Sequence, residues 1–155
     1  MTQLDPDGSA TYDLHWAGSA GRLIADPGPI DADVVRLGTC SLVFEPGASV
    51  YETVPFREAD RGRVIAPDPN VRPAVIADPG LHRERFRAWL PHVTVLKVSD
   101  AGLAWLYDDP DLDVHRTCAE IAMETSGAVV LTEGGRGASA FTPRGNVSAA
   151  APVRG

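Results

Sequence analysis

The sequence is poor in lysine. Lys97 is the single lysine among 155 residues, and the formal net charge is −7. The arginines are spread along the chain and form no basic cluster of the kind that follows a nucleic-acid phosphate backbone. We therefore expect no nucleic-acid partner.

Cysteine is also scarce. Cys40 and Cys118 lie far apart, with no CxxC or Cys/His spacing, which argues against both a zinc site and a disulfide framework. The histidines show no metal-ligand spacing, and each is predicted to be a surface or boundary residue: His15, His82, His92 and His115. These patterns favour a reducing cytoplasm and predict no metal site built from side chains of this chain.

Long apolar runs are missing as well. No segment approaches the roughly 20 apolar residues of a membrane helix, and the start MTQLDPDGSATY has no basic and apolar leader pattern. We expect a cytoplasmic chain without membrane contact. The apolar fraction of 44% is enough for the core of one domain.

Short apolar segments between Gly, Pro and Asp predict the elements of the N-terminal half. TQL and SATYDLHW, joined by the turn DPDG, resemble a β-hairpin. We then expect a buried strand over 34–44, a helix over 48–62 that ends at Gly62, and a strand over 63–67.

The C-terminal half continues the alternation. A helix over 81–90 places four apolar residues near one stripe, namely Leu81, Phe86, Trp89 and Leu90. The later segments predict a strand, two helices and a second strand, over 93–99, 100–107, 113–127 and 128–134. Two more strands joined by PRGN follow. Such alternation predicts a largely parallel sheet with ligands at the C-terminal ends of its strands.

Three polar stretches fall at predicted strand ends. Asp68, Asn70 and Arg72 in DPNVR fit an ordinary turn, and they also fit a loop in which an arginine fork binds a carboxylate or phosphate. Lys97, Ser99 and Asp100 end the next strand, where helix capping alone explains the Ser-Asp pair.

The third stretch is TEGGRG, residues 132–137. Its glycines allow backbone N–H groups to approach an anion, and Arg136 adds positive charge. The Gly-Lys-Ser/Thr ending of a Walker A motif is absent, and a plain hairpin turn also fits the stretch.

The order and spacing of APDPNVRPAVI, VTVLKVSDAGLAWLY and AVVLTEGGRGASAFTPRG resemble the middle of the PfkB (ribokinase-like) carbohydrate kinases. The bacterial fructokinases of that family are the most similar, and LDPDGSATYDLHWAGSAGRLI and LGTCSLVFEPGAS extend the resemblance over nearly the whole chain. The resemblance implies an α/β, ribokinase-like, Rossmann-type three-layer sandwich with a mainly parallel sheet. It further implies one partial domain over 1–155, with sugar-facing strands in 1–30 and the central and nucleotide-side part in 31–155.

The resemblance also implies that different strand ends bind different ligands. The DPNxR segment would lie beside the sugar and the transferring phosphate, with Arg72 as an anion clamp and with Asp68 and Asn70 on the substrate. The nucleotide phosphates of ATP, together with Mg²⁺, would lie against a second set of residues: Lys97, Ser99, Thr132, Gly134, Arg136 and Gly137.

Two family motifs do not occur in this sequence. They are the sugar-binding Gly-Gly-x-x-x-Asn and the Gly-Ala-Gly-Asp whose Asp is the general base, and Gly102 stands where the ribokinase branch has the acid of Asn-x-x-Glu. The resemblance therefore implies a fructokinase-like sugar kinase that is inactive as this chain alone. A non-catalytic nucleotide- or sugar-phosphate-binding module and a structural remnant are the alternatives. Uncovered sheet faces would favour a homodimer or a complementing chain.

Overall fold

The computed structural model describes residues 2–4, 10–12, 23–38 and 42–152. Strand β1 (Thr2–Leu4) and strand β2 (Ala10–Tyr12) pair antiparallel, from Thr2 opposite Tyr12 to Leu4 opposite Ala10. This pairing confirms the two strands of the predicted hairpin. Its turn DPDG and the continuation over 13–16 lie outside the described residues.

Strands and helices alternate in the remainder, as predicted. The elements are β3 (Val34–Gly38), α1 (Gly47–Asp60), β4 (Val64–Asp68), α2 (Pro79–Trp89), β5 (Val95–Ser99), α3 (Asp100–Tyr107), α4 (Val114–Thr125), β6 (Ala128–Thr132), β7 (Ala138–Thr142) and β8 (Gly145–Ala149). The predicted α/β class is confirmed.

One strand is shorter than its sequence suggests. The expectation of a single strand over 34–44 is wrong, because β3 ends at Gly38, opposite the last residue of β4. Leu42 is buried, but it packs with Val71 and Ile76 rather than in the sheet. Apolar content alone does not distinguish a strand from a buried turn.

Strands β3 to β8 lie side by side in a mixed arrangement, apart from the β1–β2 pair. β3 pairs parallel with β4, and β5 pairs parallel with β6. The Thr94 N–H donates to the Ile65 carbonyl (2.9 Å) and the Ile65 N–H donates to Thr94 Oγ1 (3.2 Å), which sets β4 beside β5. β7 and β8 then add as antiparallel strands.

The four described helices cover one face of this sheet. Leu96, Val98, Val129 and Leu131 are fully buried beneath them. Tyr51 of α1 packs against both hydrophobic clusters, so α1 shares a layer with α2, α3 and α4. Alternate residues of the strands point to the opposite face, which we call the open face. The described residues thus supply two layers of the ribokinase-like sandwich, in agreement with the expected incompleteness.

Helix α2 begins earlier than predicted. Asp78 caps it by accepting a hydrogen bond from the Leu81 N–H (2.9 Å), and Pro79 occupies the first turn. Leu81 therefore lies in that first turn and is 44% exposed, whereas His82 is buried. The expectation that Leu81 lies on the buried stripe is wrong. Within the described part of the chain, no helix combines the length and apolar character that crossing a membrane requires.

Candidate functional site

The three polar stretches meet at one edge of the sheet. β4, β5 and β6 run in the same direction, and Ser99 at the end of β5 lies opposite Thr132 at the end of β6. Asp68 is the last residue of β4 rather than the first residue of the following turn. The structure therefore brings the predicted residues to neighbouring strand ends.

Asp68 is paired with two cations on the open face. Its carboxylate lies 3.2 Å from Lys97 Nζ and 3.5 Å from Arg36 Nη2, and the Asp68 side chain is only 11% exposed. Arg36 is exposed and alternates along β3 with buried Val35 and Leu37. Sequence reasoning missed Arg36, whose one signal is a charged residue within an apolar strand.

The loop after Asp68 is braced by Arg72. Asn70 has a positive φ of 39°, which favours a short polar side chain. The Arg72 Nη1 donates to the backbone carbonyls of Asn70 (3.1 Å) and Val71 (3.0 Å). These two hydrogen bonds support the interpretation of this segment as a turn. If Arg72 also clamps an anion, the same guanidinium must bind that anion in addition to the loop carbonyls.

Ser99 has the capping role predicted for it. Its Oγ accepts a hydrogen bond from the Gly102 N–H at 3.1 Å, and this bond starts α3. A Cβ at position 102 would lie 2.8 Å from Ser99 Oγ. The cap and a larger residue at position 102 therefore compete for the same space.

The glycine loop, residues 133–137, is a compact turn. The Glu133 N–H donates to the Gly137 carbonyl (2.9 Å), the Arg136 N–H to the Glu133 carbonyl (3.1 Å), and the Gly137 N–H to the Gly134 carbonyl (3.1 Å). Gly134 and Gly137 have φ values of 58° and 111°, a region that favours glycine. Thr132, just before the loop, directs its Oγ1 toward the Val98 carbonyl at 3.4 Å.

Arg136 links the glycine loop to helix α3. Its Nη2 lies 2.7 Å from Asp100 Oδ2 and 3.7 Å from Glu133 Oε1. The Arg136 side chain is 68% exposed, so the cation is accessible at the rim of the sheet. An anion that binds Arg136 would replace the carboxylates of Asp100 and Glu133 as its partner.

Glu133 carries the carboxylate of the loop, and its side chain is only 12% exposed. Its Oε1 lies 2.9 Å from His115 Nε2, and its Oε2 accepts a hydrogen bond from Ser139 Oγ at 3.2 Å. The hydrogen bond from His115 is the main cause that holds the pKa of Glu133 below its ordinary value, and Ser139 and Arg136 act in the same direction. Sequence reasoning missed this pair because His115 lies 18 residues before Glu133, on another element.

The described side chains form no cluster that could hold a metal ion without ligands from a substrate. Among residues 23–38 and 42–152, no three His, Cys, Asp or Glu side chains group as a metal ion requires. The carboxylates at the strand ends are each paired with a cationic or histidine side chain: Asp68, Asp100 and Glu133.

Comparison with known proteins identifies a fructokinase as a relative. No family model matches the chain. A fructokinase from Rhizobium leguminosarum bv. trifolii is 35% identical over 141 residues, which are 88% of this chain and 42% of that protein. The chain thus spans less than half the length of this curated relative.

Solved structures share the fold. A fructokinase from Vibrio cholerae O395, solved with fructose, ADP and a calcium ion, matches 96% of this chain and 49% of its own, with a TM-score of 0.74 and 18% identity. A fructokinase from Xylella fastidiosa matches 95% of this chain and 47% of its own, with a TM-score of 0.75 and 17% identity. These similarities confirm the ribokinase-like fold predicted from the sequence.

Proposed function

We propose a sugar-kinase function for this chain, which is a homologue of the fructokinases of the PfkB (ribokinase-like) family. In this proposal the chain forms the central and nucleotide-side part of an ATP-dependent cytoplasmic kinase that transfers a phosphoryl group to a sugar hydroxyl. Residues 1–30 would contribute to the sugar side. The observation that supports the proposal is that parallel β5 and β6 end side by side, with Lys97 beside Asp68 of β4 and with Arg136 in the glycine loop after β6.

Phosphoryl transfer depends mainly on positioning and on charge stabilisation around the moving phosphate. Arg136 and the glycine loop would hold the nucleotide phosphates, with Lys97, Ser99 and Thr132 lining the same cleft. Asp68 and Asn70 would contact the sugar, and Arg72 would clamp the transferring phosphate. Each cation already has an internal partner, so binding would exchange a carboxylate or carbonyl for a phosphate oxygen.

The general base is the part that this sequence does not supply. The Gly-Ala-Gly-Asp motif does not occur in it, and the carboxylate of Asp68 is engaged in ion pairs with Lys97 and Arg36. Loss of a general base lowers turnover by about 10²–10⁴-fold. We therefore propose that the 155-residue chain alone has negligible kinase activity.

A non-catalytic nucleotide- or sugar-phosphate-binding module is the second candidate. It is favoured by the same missing motif, since every group placed on the nucleotide side can bind phosphate without a base. Fragment complementation separates the two functions. The chain would be mixed with the parts of the Rhizobium fructokinase on both sides of the matched 42%, and ATP consumption with fructose or ribose would be followed in a coupled assay.

The kinase proposal expects turnover in the mixture and none from any part alone. The Arg136→Ala variant should lower that turnover, whereas Arg116→Ala is the matched control, because Arg116 is an exposed arginine of α4 paired with Glu120. Binding of ADP by calorimetry, without turnover in the mixture, would establish the module instead. An absence of ADP binding in every variant would contradict both candidates.

A further inference from the structure

Glu133 connects the glycine loop to three neighbouring elements. Its carboxylate bonds to His115 of α4 and to Ser139 of β7, and Ser139 Oγ lies 2.8 Å from Ser148 Oγ of β8. A carboxylate with this little exposure and with two hydrogen-bond partners has its rotamer fixed. The side chain is therefore an anchor between the loop and the sheet.

The backbone of Glu133 closes the loop that the side chain anchors. Its N–H donates to the Gly137 carbonyl, and its carbonyl accepts from the Arg136 N–H. The same residue therefore closes the glycine loop through its backbone and ties the loop to α4 and β7 through its carboxylate.

The charges around Glu133 come from several elements. His115 faces it from α4 at 2.9 Å, and Arg136 faces it from the loop at 3.7 Å while also bonding to Asp100 of α3. Cys118 of α4 lies close enough to feel the Glu133 charge, but burial raises its pKa to about 12, so its thiol is neutral. Histidine is the side chain that changes charge between about pH 5 and 8.

We infer that Glu133 is the positioning residue of the glycine loop and that protonation of His115 controls how strongly Glu133 holds Arg136. With neutral His115, the Glu133 charge attracts Arg136. With protonated His115, that charge is offset at a distance of 2.9 Å, and Arg136 keeps Asp100 (2.7 Å) as its main internal partner while a ligand meets less competition from Glu133. For nucleotide binding, this inference rests on the proposed function, and it predicts tighter phosphate binding as the pH falls.

The positioning itself can be tested without nucleotide. The backbone amides of Arg136 and Gly137 would be followed by two-dimensional NMR between about pH 5 and 8. We expect both amides to titrate in the wild type and not in His115→Gln. His92→Gln is the control, because His92 precedes β5 at the opposite edge of the sheet and contacts Phe56. Equal titration in the wild type and in His115→Gln would overturn the inference.

The effect on the ligand is tested with ADP. Its dissociation constant would be measured by calorimetry at about pH 5.5 and 7.5 in the wild type, His115→Gln and His92→Gln. We expect the ratio of the two constants to be about threefold larger in the wild type than in His115→Gln, the range of an exposed ion pair. An equal ratio in the wild type and in His115→Gln would contradict the inference that His115 governs ADP binding.

Two variants of Glu133 distinguish positioning from general structure. Glu133→Gln keeps a hydrogen-bonding amide but removes the charge that attracts Arg136, so we expect ADP to bind at about pH 7.5 at least as tightly as it binds the wild type, with the pH dependence lost. Glu133→Ala should weaken ADP binding about tenfold, because it removes two hydrogen bonds. Equal weakening in both variants would contradict the inference. A wild type that binds no ADP would reject the proposed function, while the amide titration would still decide the positioning role.

Discussion

The ammonium group of Lys97 lies 3.2 Å from the carboxylate of Asp68, across the gap between β5 and β4. The single lysine of the chain is thus paired internally at the edge where three predicted binding stretches meet. Arg36 approaches the same carboxylate from β3 at 3.5 Å. Asp68 therefore sets how much positive charge this edge presents to an anion.

This arrangement predicts the effect of Asp68→Asn. Removing the carboxylate frees Lys97 and Arg36, so ADP should bind about three- to tenfold more tightly, and the gain should shrink at high salt. Calorimetry at low and high ionic strength measures the effect. Asp111→Asn is the matched control, since it makes the same charge change at an exposed residue of the turn before α4. Equal gains in the two variants would show that only net charge matters.

Gly137 should be far less tolerant of a side chain than Gly134. A Cβ on Gly137 would overlap the Ala149 carbonyl oxygen, whereas a Cβ on Gly134 would have no atom within 4 Å. Gly137→Ala should lower the free energy of unfolding by about 3 kcal/mol or more. Gly134→Ala should cost about 1 kcal/mol, from its positive φ alone. Urea unfolding measures both losses, and similar losses would contradict the crowding at Gly137.

The Glu133 carboxylate should make stability depend on acidic pH. Its folded pKa lies below the ordinary 4.5, so its ionised form is favoured in the folded state. The stabilisation is present above the unfolded pKa and is lost as the pH falls through the folded pKa. The difference in unfolding free energy between the wild type and Glu133→Gln should therefore narrow from neutral pH to below pH 4. A difference that stays constant over this range would show that the charge contributes nothing.

The thiol of Cys118 should be unreactive in the folded chain. It is fully buried, and burial raises its pKa to about 12, so the nucleophilic thiolate is rare. In a Cys40→Ser background, labelling with a disulfide reagent at about pH 8 should be slow and should accelerate with urea. Rapid labelling without urea would contradict the burial.

The sequence predicted the fold through local signals. Gly62 and Asp113 mark helix boundaries because capping and positive φ depend on neighbouring residues. The expected strand over 34–44 failed because packing of Leu42 against Val71 depends on tertiary contacts. The same limit explains Leu81, whose exposure follows from where Asp78 starts the helix.

The candidate site likewise contains residues that the sequence could place and residues that it could not. Asp68, Lys97 and Thr132 could be placed at one edge because the C-terminal ends of parallel strands lie at the same edge. Arg36 and His115 could not be placed from the sequence. Each is far in sequence from the carboxylate that it contacts, Asp68 and Glu133, and residue spacing does not predict such contacts. The three binding stretches were identified by their similarity in order and spacing to known kinases. The partners of their side chains could be identified only from the structure.

The fit of Gly137 against Ala149 has a consequence for how the molecule opens. All residues of β8 are exposed, and β8 pairs with β7 alone in the described sheet. Such a strand separates at low free energy, so its amides should exchange with deuterium before those of β5 or β6. When β8 separates, the Ala149 carbonyl leaves Gly137 and Ser148 leaves Ser139. The amides of the glycine loop would then exchange at the rate of β8 rather than at the rate of β6, the core strand that precedes the loop.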